Sequence, residues 1–220
     1  AAVDMSNFYL DIVKDRLYVL EKDAPSRRAV QTVLAETLKT LTLLIAPVLS
    51  FTAEEVWSYI PFKEKESVLL NAWPELPDCY ENEELAARWE LLLHLREESN
   101  KALEAARREK LIGSSLQAAV ELYPDEELYP KLAAYSTLLP ALLIVSSCRL
   151  HEPGTKLPAD GLTTAQELNL RLKIQRAPGE KCQRCWMYSP TVGQNEEHEE
   201  VCSRCQEILD RNRPAAGQDN

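Results

Sequence analysis

The sequence predicts a mainly α chain, built as a helical bundle that leads into a small α+β unit and then a four-cysteine zinc module. Three observations carry this. Four successive stretches before Gly113 repeat apolar residues at helical spacing. Beyond Gly113 the period changes to two, as in half-buried strands. Near the end, Cys182-Gln183-Arg184-Cys185 and Cys202-Ser203-Arg204-Cys205 together read C-x2-C-x16-C-x2-C, a metal spacing. The expected segments are 1–113 (bundle), 114–178 (α+β junction), 179–210 (zinc module) and 211–220, a disordered tail.

In the first stretch, Tyr9, Val13, Leu17 and Leu20 predict an amphipathic helix from about Met5 to Lys22, ending before Pro25. Its other face carries Asp11, Lys14 and Tyr18. After Pro25 the stripe Val30, Leu34, Leu38, Leu41 and Ile45 predicts a second helix, stopped or kinked at Pro47. Arg27 and Arg28 stand in its first turn, facing the positive end of the helix dipole. An external anion explains cations there better than a local role. Thr52 with Glu55 forms a T-x-x-E capping box, and Phe51 with Val56 has the spacing of a hydrophobic staple, so a third helix is expected to begin here. Lys63 to Pro77 reads as a surface loop anchored by Trp73-Pro74. Leu85, Trp89, Leu92, Leu103 and Ala106 then keep one face of a long fourth helix, from about Glu83 to Lys110, stopped by Gly113.

The alternation of Leu116, Ala118, Val120 and Leu122 with Gln117, Ala119, Glu121 and Tyr123 predicts a half-buried strand ended by Pro124. A helix through Leu128, Leu132, Tyr135 and Leu139 follows, then a buried strand over Leu142 to Val145 and a loop from Gly154 to Gly161. Leu168, Leu170, Leu172 and Ile174 alternate with Asn169, Arg171, Lys173 and Gln175. This last strand offers a cationic face joined to the cysteine knuckles.

Four thiolates at that spacing can close a tetrahedral Zn2+ site, with Zn–S distances of about 2.3 Å and no open position for water or substrate. One zinc is therefore expected, and its role is structural. Two disulfides, or four unrelated thiols, are the alternative; two C-x2-C pairs in one short window favour zinc. A rival set of Cys182, Cys185, His198 and Cys202 would resemble a DNA-reading finger. It would turn Glu196, Glu197, Glu199 and Glu200 toward a polyanion and leave Cys205 unexplained. His198 reads instead as a solvated residue on an acidic loop. Cys79 and Cys148 read as inert core or boundary residues.

The formal net charge of −10 argues against a generic nucleic-acid binder. Local distribution overrides that total, because five basic residues stand against Glu180 alone from Arg171 to Trp186, a net +4. No run is long and apolar enough for a membrane helix, no secretory leader opens the chain and four thiols sit in a metal pattern, so it reads as cytoplasmic; a monomer is expected. Ala1 in place of Met suggests an excised fragment. No phosphate loop, paired carboxylates or nucleophile with a His partner can be placed, and His94 and His151 read as ordinary packed or exposed side chains.

Several blocks carry a resemblance. Tyr9 to Tyr18, Arg27-Arg28 with Gln31-Thr32, and Ala46 to Trp57 resemble the anticodon-binding helices of the bacterial isoleucyl-tRNA synthetase family. Asn100 to Glu104, Arg107, Ile112 to Leu116 and Lys181 to Trp186 resemble that family's C-terminal region and zinc module. The resemblance spans nearly the whole chain. It implies a parent that joins isoleucine to its tRNA using ATP. The HIGH and KMSKS signatures and any editing segment are absent here, so the implied role is recognition of isoleucine tRNA, alongside the parent chain's catalytic and editing domains.

The expected phosphate contacts are Arg171, Lys173, Arg176, Lys181, Arg184 and Arg204, with Lys14, Arg16, Arg27 and Arg28 on the helices. Salt bridges to Asp11 or Asp15 are the alternative role on the helices. Trp186 is either a base-stacking platform or a plug for the small module. Two other readings stay open: a DNA-repair glycosylase, since formamidopyrimidine-DNA glycosylases end in a similar zinc module, and a zinc-stabilised protein-interaction domain. The first is weakened by the helical start and the acidic inter-cysteine loop.

Overall fold

The computed structural model describes residues 2–75 and 77–212. Its contacts gather into two compact units, Ala1–Glu21 with Glu84–Asn220, and Lys22–Glu83. The first holds both ends of the expected 1–113 segment, the second its middle.

The chain opens with a π-helical segment, Ala2–Tyr9, continued by α1 (Leu10–Ile12) and α2 (Lys14–Tyr18). Helix stops at Tyr18, short of the expected Lys22. The cause is tertiary, since Val19 is 4% exposed and packs into the cysteine-rich core described below.

In the second unit, α3 (Pro25–Ile45) begins on Pro25 at its first turn, where the missing N–H costs nothing. It is followed by α4 (Ser50–Tyr59). Ala46, Ala53, Trp57, Ile60 and Val68 form the unit's core. The expected capping box is not formed. Leu49 occupies the N-cap without a side-chain bond, and Phe51 is 95% exposed, so there is no staple. Glu54 does the local work instead, its carboxylate accepting from Ser67 Oγ at 2.8 Å and from the Val68 N–H at 3.0 Å. Trp57 Nε1 donates to the Lys65 carbonyl at 2.9 Å. Trp73 does not anchor the loop; it is exposed, and Val68 is buried in its place. Leu38 and Leu41 of the expected stripe are also exposed, because α4 is half as long as α3 and covers only part of it.

In the first unit, α5 (Glu83–Arg108) runs as expected but is not stopped by Gly113. Lys110 takes φ 59°, while the Leu111 N–H reaches the Ala106 carbonyl at 2.9 Å and the Lys110 N–H that of Arg107 at 3.0 Å. That is a Schellman ending with a side chain where glycine is favoured. Lys110→Gly is expected to raise stability by about 1 kcal/mol, read from the midpoint of urea unfolding.

Next come β1 (Ala118–Pro124), α6 (Leu128–Ala133) and α7 (Leu139–Leu143), then β2 (Ser147–Leu150), β3 (Leu162–Ala165) and β4 (Leu170–Arg176). The strand order is β2-β1-β4-β3, with β1 and β2 parallel and the other pairs antiparallel. The expected strand over Leu142 to Val145 is helix and turn. Pro140 sits in the first turn of α7, and Ile144 closes it at φ 55°. β1 is central and buried on both faces except at Glu121, rather than half-buried. Leu92, Leu95 and Leu103 of α5 join Leu132, Leu142, Val120, Leu122 and Leu172 in one core on one side of the sheet. Burial pushes the Cys148 thiol up to about 12, which makes it inert, whereas Cys79 is exposed and not a core residue.

The chain ends in a two-stranded ladder, β5 (Glu180–Lys181) with β6 (Tyr188–Ser189), and in α8 (Ser203–Arg211). Most of the expected disordered tail, residues 213–220, lies outside the described residues. Among the described residues no helix is long and apolar enough to cross a membrane.

Candidate metal centre and nucleic-acid surface

The β5–β6 ladder presents the first cysteine pair. Gly179 enters it at φ 84°, where a Cβ would lie 2.2 Å from the Ser189 carbonyl, so only glycine fits. The Cys182 N–H donates to the Met187 carbonyl and the Trp186 N–H to the Cys182 carbonyl, both at 2.9 Å, folding Cys182 to Met187 into a tight knuckle. Cys202 is the N-cap of α8 and Cys205 lies in its first turn.

The four sulfurs lie within 4.8 Å of one another, and Cys185 Sγ to Cys202 Sγ is 3.8 Å. A tetrahedron with Zn–S of about 2.3 Å has S···S edges of about 3.8 Å. The set fits a closed four-sulfur zinc. All four thiols are free, which removes the disulfide alternative. The Cys205 thiol is the main reason that Cys185 titrates down at about 5; burial opposes it, and the Met187 backbone, Cys182 and Arg204 assist. The same contact, with burial and the neighbouring sulfurs, pushes Cys205 up. A thiolate already formed at neutral pH, beside a buried thiol held up by the neighbouring sulfurs, is suited to binding a metal cation. His198 stands apart from this set. It clusters with Glu197 and Asp210, and its buried Nε2 has no hydrogen-bond partner.

Around the sulfurs the module has little apolar material, chiefly Ile208 with Val192 and Val201 at its edge. It borrows Val19 and Leu20 from the end of α2. Three arginines fix that contact. Arg204 forks onto the Asp15 carboxylate at 2.8 and 2.6 Å, Arg184 donates to the Val19 carbonyl at 2.8 Å, and Arg211 reaches Glu21 at 3.2 Å. Thus Arg184 and Arg204 have partners inside the protein. Sequence reasoning missed this because Asp15 and Arg204 are 189 positions apart, and no local pattern joins them.

The other candidates are distributed. Lys14 pairs with Asp11 at 2.5 Å and Arg28 with Asp23 at 3.4 Å, while Arg27 is half-buried on α3. Arg16 forms no ion pair among the described residues. On β4, Arg171 and Lys173 also lack one, whereas Arg176 donates through Nε to the Leu111 carbonyl at 2.7 Å. Lys181 Nζ lies 5.2 Å from the centre of the Trp186 ring. Trp186 itself is 59% exposed, so it does not plug the module, and it is held at φ 65°. A bulky side chain there costs about 1 to 3 kcal/mol, and such strain gathers at binding sites.

Residues 1–122 match the family model described as "Anticodon-binding domain of tRNA ligase", and residues 179–208 match "Zinc finger found in FPG and IleRS". The chain is 43% identical to the isoleucine–tRNA ligase of Moorella thermoacetica over 210 residues, which are 94% of this chain and 23% of that one. It is 46% identical to that of Thermoanaerobacter sp. over 206 residues, 92% and 22%. With that of Bacillus mycoides the figures are 41% over 210 residues, 96% and 22%. The chain thus spans less than a quarter of the length of these curated relatives.

Proposed function

The chain belongs to the anticodon-binding domain family of tRNA ligases, and from that premise we propose that it is the tRNA-recognition part of an isoleucine–tRNA ligase. In this reading it holds the anticodon arm while catalytic and editing domains elsewhere on the parent chain act on the acceptor end. It works in the cytoplasm, as part of a monomer, where four zinc-ligand thiols stay reduced.

The observation that carries the reading is the path from β4 into the first knuckle. Arg171 and Lys173 form no ion pair among the described residues, and the same run ends in an exposed, strained tryptophan with a lysine over its ring. Cations fix an RNA backbone, and an exposed aromatic face takes an unstacked base. Zinc, held by Cys182, Cys185, Cys202 and Cys205, would supply rigidity to that tip and no chemistry. The zinc-finger match alone suits the glycosylase reading equally, but the match over 1–122 and the ligase relatives favour tRNA.

Filter binding with isoleucine tRNA, non-cognate tRNAs and damaged duplex DNA tests this; preference for damaged DNA, or no nucleic-acid binding, would overturn it. Replacing Arg171, Lys173 and Arg176 by glutamine should weaken all tRNAs alike. The slope of log K against log salt should fall by about 0.7 to 0.9 for each lost contact. An unchanged slope would remove β4 from the interface.

A further inference from the structure

The sheet has a second face that the core does not use. Register places Val120, Leu122, Leu172 and Ile174 toward the core, so Glu121 and Tyr123 of β1, Arg149 of β2, Arg171 and Lys173 of β4 and Thr164 of β3 share the opposite side. Glu121 lies in register with both Arg149 and Lys173 yet pairs with neither. Its carboxylate accepts from Tyr123 Oη at 2.6 Å and from Gln175 Nε2 at 3.3 Å. Arg149, Arg171 and Lys173 therefore form a cationic track without ion pairs among the described residues.

The track leads into a cleft of about 610 Å³ between the start of β4 and the loop after β2, within the range of about 300 to 1,000 Å³ usual for ligand sites. Tyr123, Glu152, Thr155, Thr164, Asn169 and Arg171 line it. Tyr123 is backed by His151, stacked at 4.3 Å and 3°. Asp125, at the rim, is committed to capping the N–H groups of Glu127 and Leu128. The Glu152 carboxylate has no partner among the described residues, and it is not joined to Arg171. A simple anion would meet Glu152, and a simple cation would meet Arg171. A ligand that suits both is anionic at one end and carries N–H donors at the other.

We propose that this cleft receives one unstacked nucleotide of the tRNA, its phosphate on Arg171 and the donor edge of its base toward Glu152. The proposal rests on the tRNA reading above. A carboxylate accepts from the N4 amino group of cytosine, a position where uracil carries an acceptor oxygen, so the site discriminates between those bases. Tyr123 stays a neutral donor to Glu121 throughout, since burial first and then that hydrogen bond push its phenol up to about 12.

The test measures binding of isoleucine tRNA, oligo(rC) and oligo(rU) to the whole chain, with zinc content and circular dichroism as folding controls. The native chain should prefer oligo(rC) by roughly tenfold. Glu152→Gln should erase most of that preference, whereas Arg171→Gln should weaken both oligomers equally. If tRNA binds but the preference is absent or survives Glu152→Gln, the cleft assignment fails alone. If no RNA binds the native chain, the tRNA reading fails and takes this one with it.

Discussion

Removing zinc from Cys182, Cys185, Cys202 and Cys205 is expected to unfold residues 179–212 and to loosen α2, while the core between α5 and the sheet stays intact. Structural zinc contributes about 10 to 16 kcal/mol of apparent folding energy in small modules. This module has little to replace it, because most of its own buried apolar surface is sulfur and Ile208. Val19 and Leu20 lose their packing when it opens, and Asp15 loses Arg204. Hydrogen exchange with and without a chelator reads the pattern directly. Amides of α8, the Cys182–Met187 knuckle and Val19 should lose protection, and those of Leu95, Leu122 and Leu172 should keep it. Metal analysis should give one zinc per chain, lost in Cys205→Ser and kept in His198→Ala. The reverse pattern in those two variants, or full protection after metal removal, would rule out the four-cysteine site as the module's support.

Deleting residues 181–220 from a full-length isoleucine–tRNA ligase should leave isoleucine-dependent ATP–pyrophosphate exchange intact and lower tRNA charging by about a hundredfold or more. Activation needs only ATP and the amino acid in a distant domain, whereas transfer needs the tRNA held in register. A stacked base contributes about 1 to 3 kcal/mol, so losing two such contacts of about 1.4 kcal/mol or more each reaches that factor. The structure adds a control, because the deletion also removes the arginines that hold α2. Arg204→Ala keeps the knuckles and Trp186 but cuts the fork onto Asp15. A large loss in the deletion with a small one in Arg204→Ala assigns the effect to contact with RNA. Equal losses assign it to positioning of α2. If exchange fell together with charging, the segment would be supporting the catalytic fold instead.

The elements whose signal is local were legible in the sequence. The fourth helix and the strand through Leu170, Leu172 and Ile174 came through because one face of each is truly buried. The cysteine spacing picked out the four sulfurs that the fold brings together. Failures occurred where a distant partner decides. Thr52 and Glu55 have capping-box spacing, but the chain reaches the first turn of α4 as helix two residues earlier. Leu142 to Val145 is as apolar as a strand, but Pro140 starts a helix there, and Leu142 and Leu143 enter the core from it. Of the cationic residues, sequence composition could find the charges but not their partners. Arg184 and Arg204 hold the module to α2, while Arg149, which no motif marked, shares a face with Arg171.

The fork between Arg204 and Asp15 also sets an order of events during synthesis. Asp15 leaves the ribosome 189 residues before Arg204. At about 5 to 20 residues per second, that is an interval of roughly 10 to 40 s. For most of it the Lys22–Glu83 unit, whose core is contained in its own sequence, is complete and free to fold, whereas Val19 has nothing to pack against. The end of α2 is thus among the last parts of the chain to be fixed, and it waits on the arrival of a metal ion.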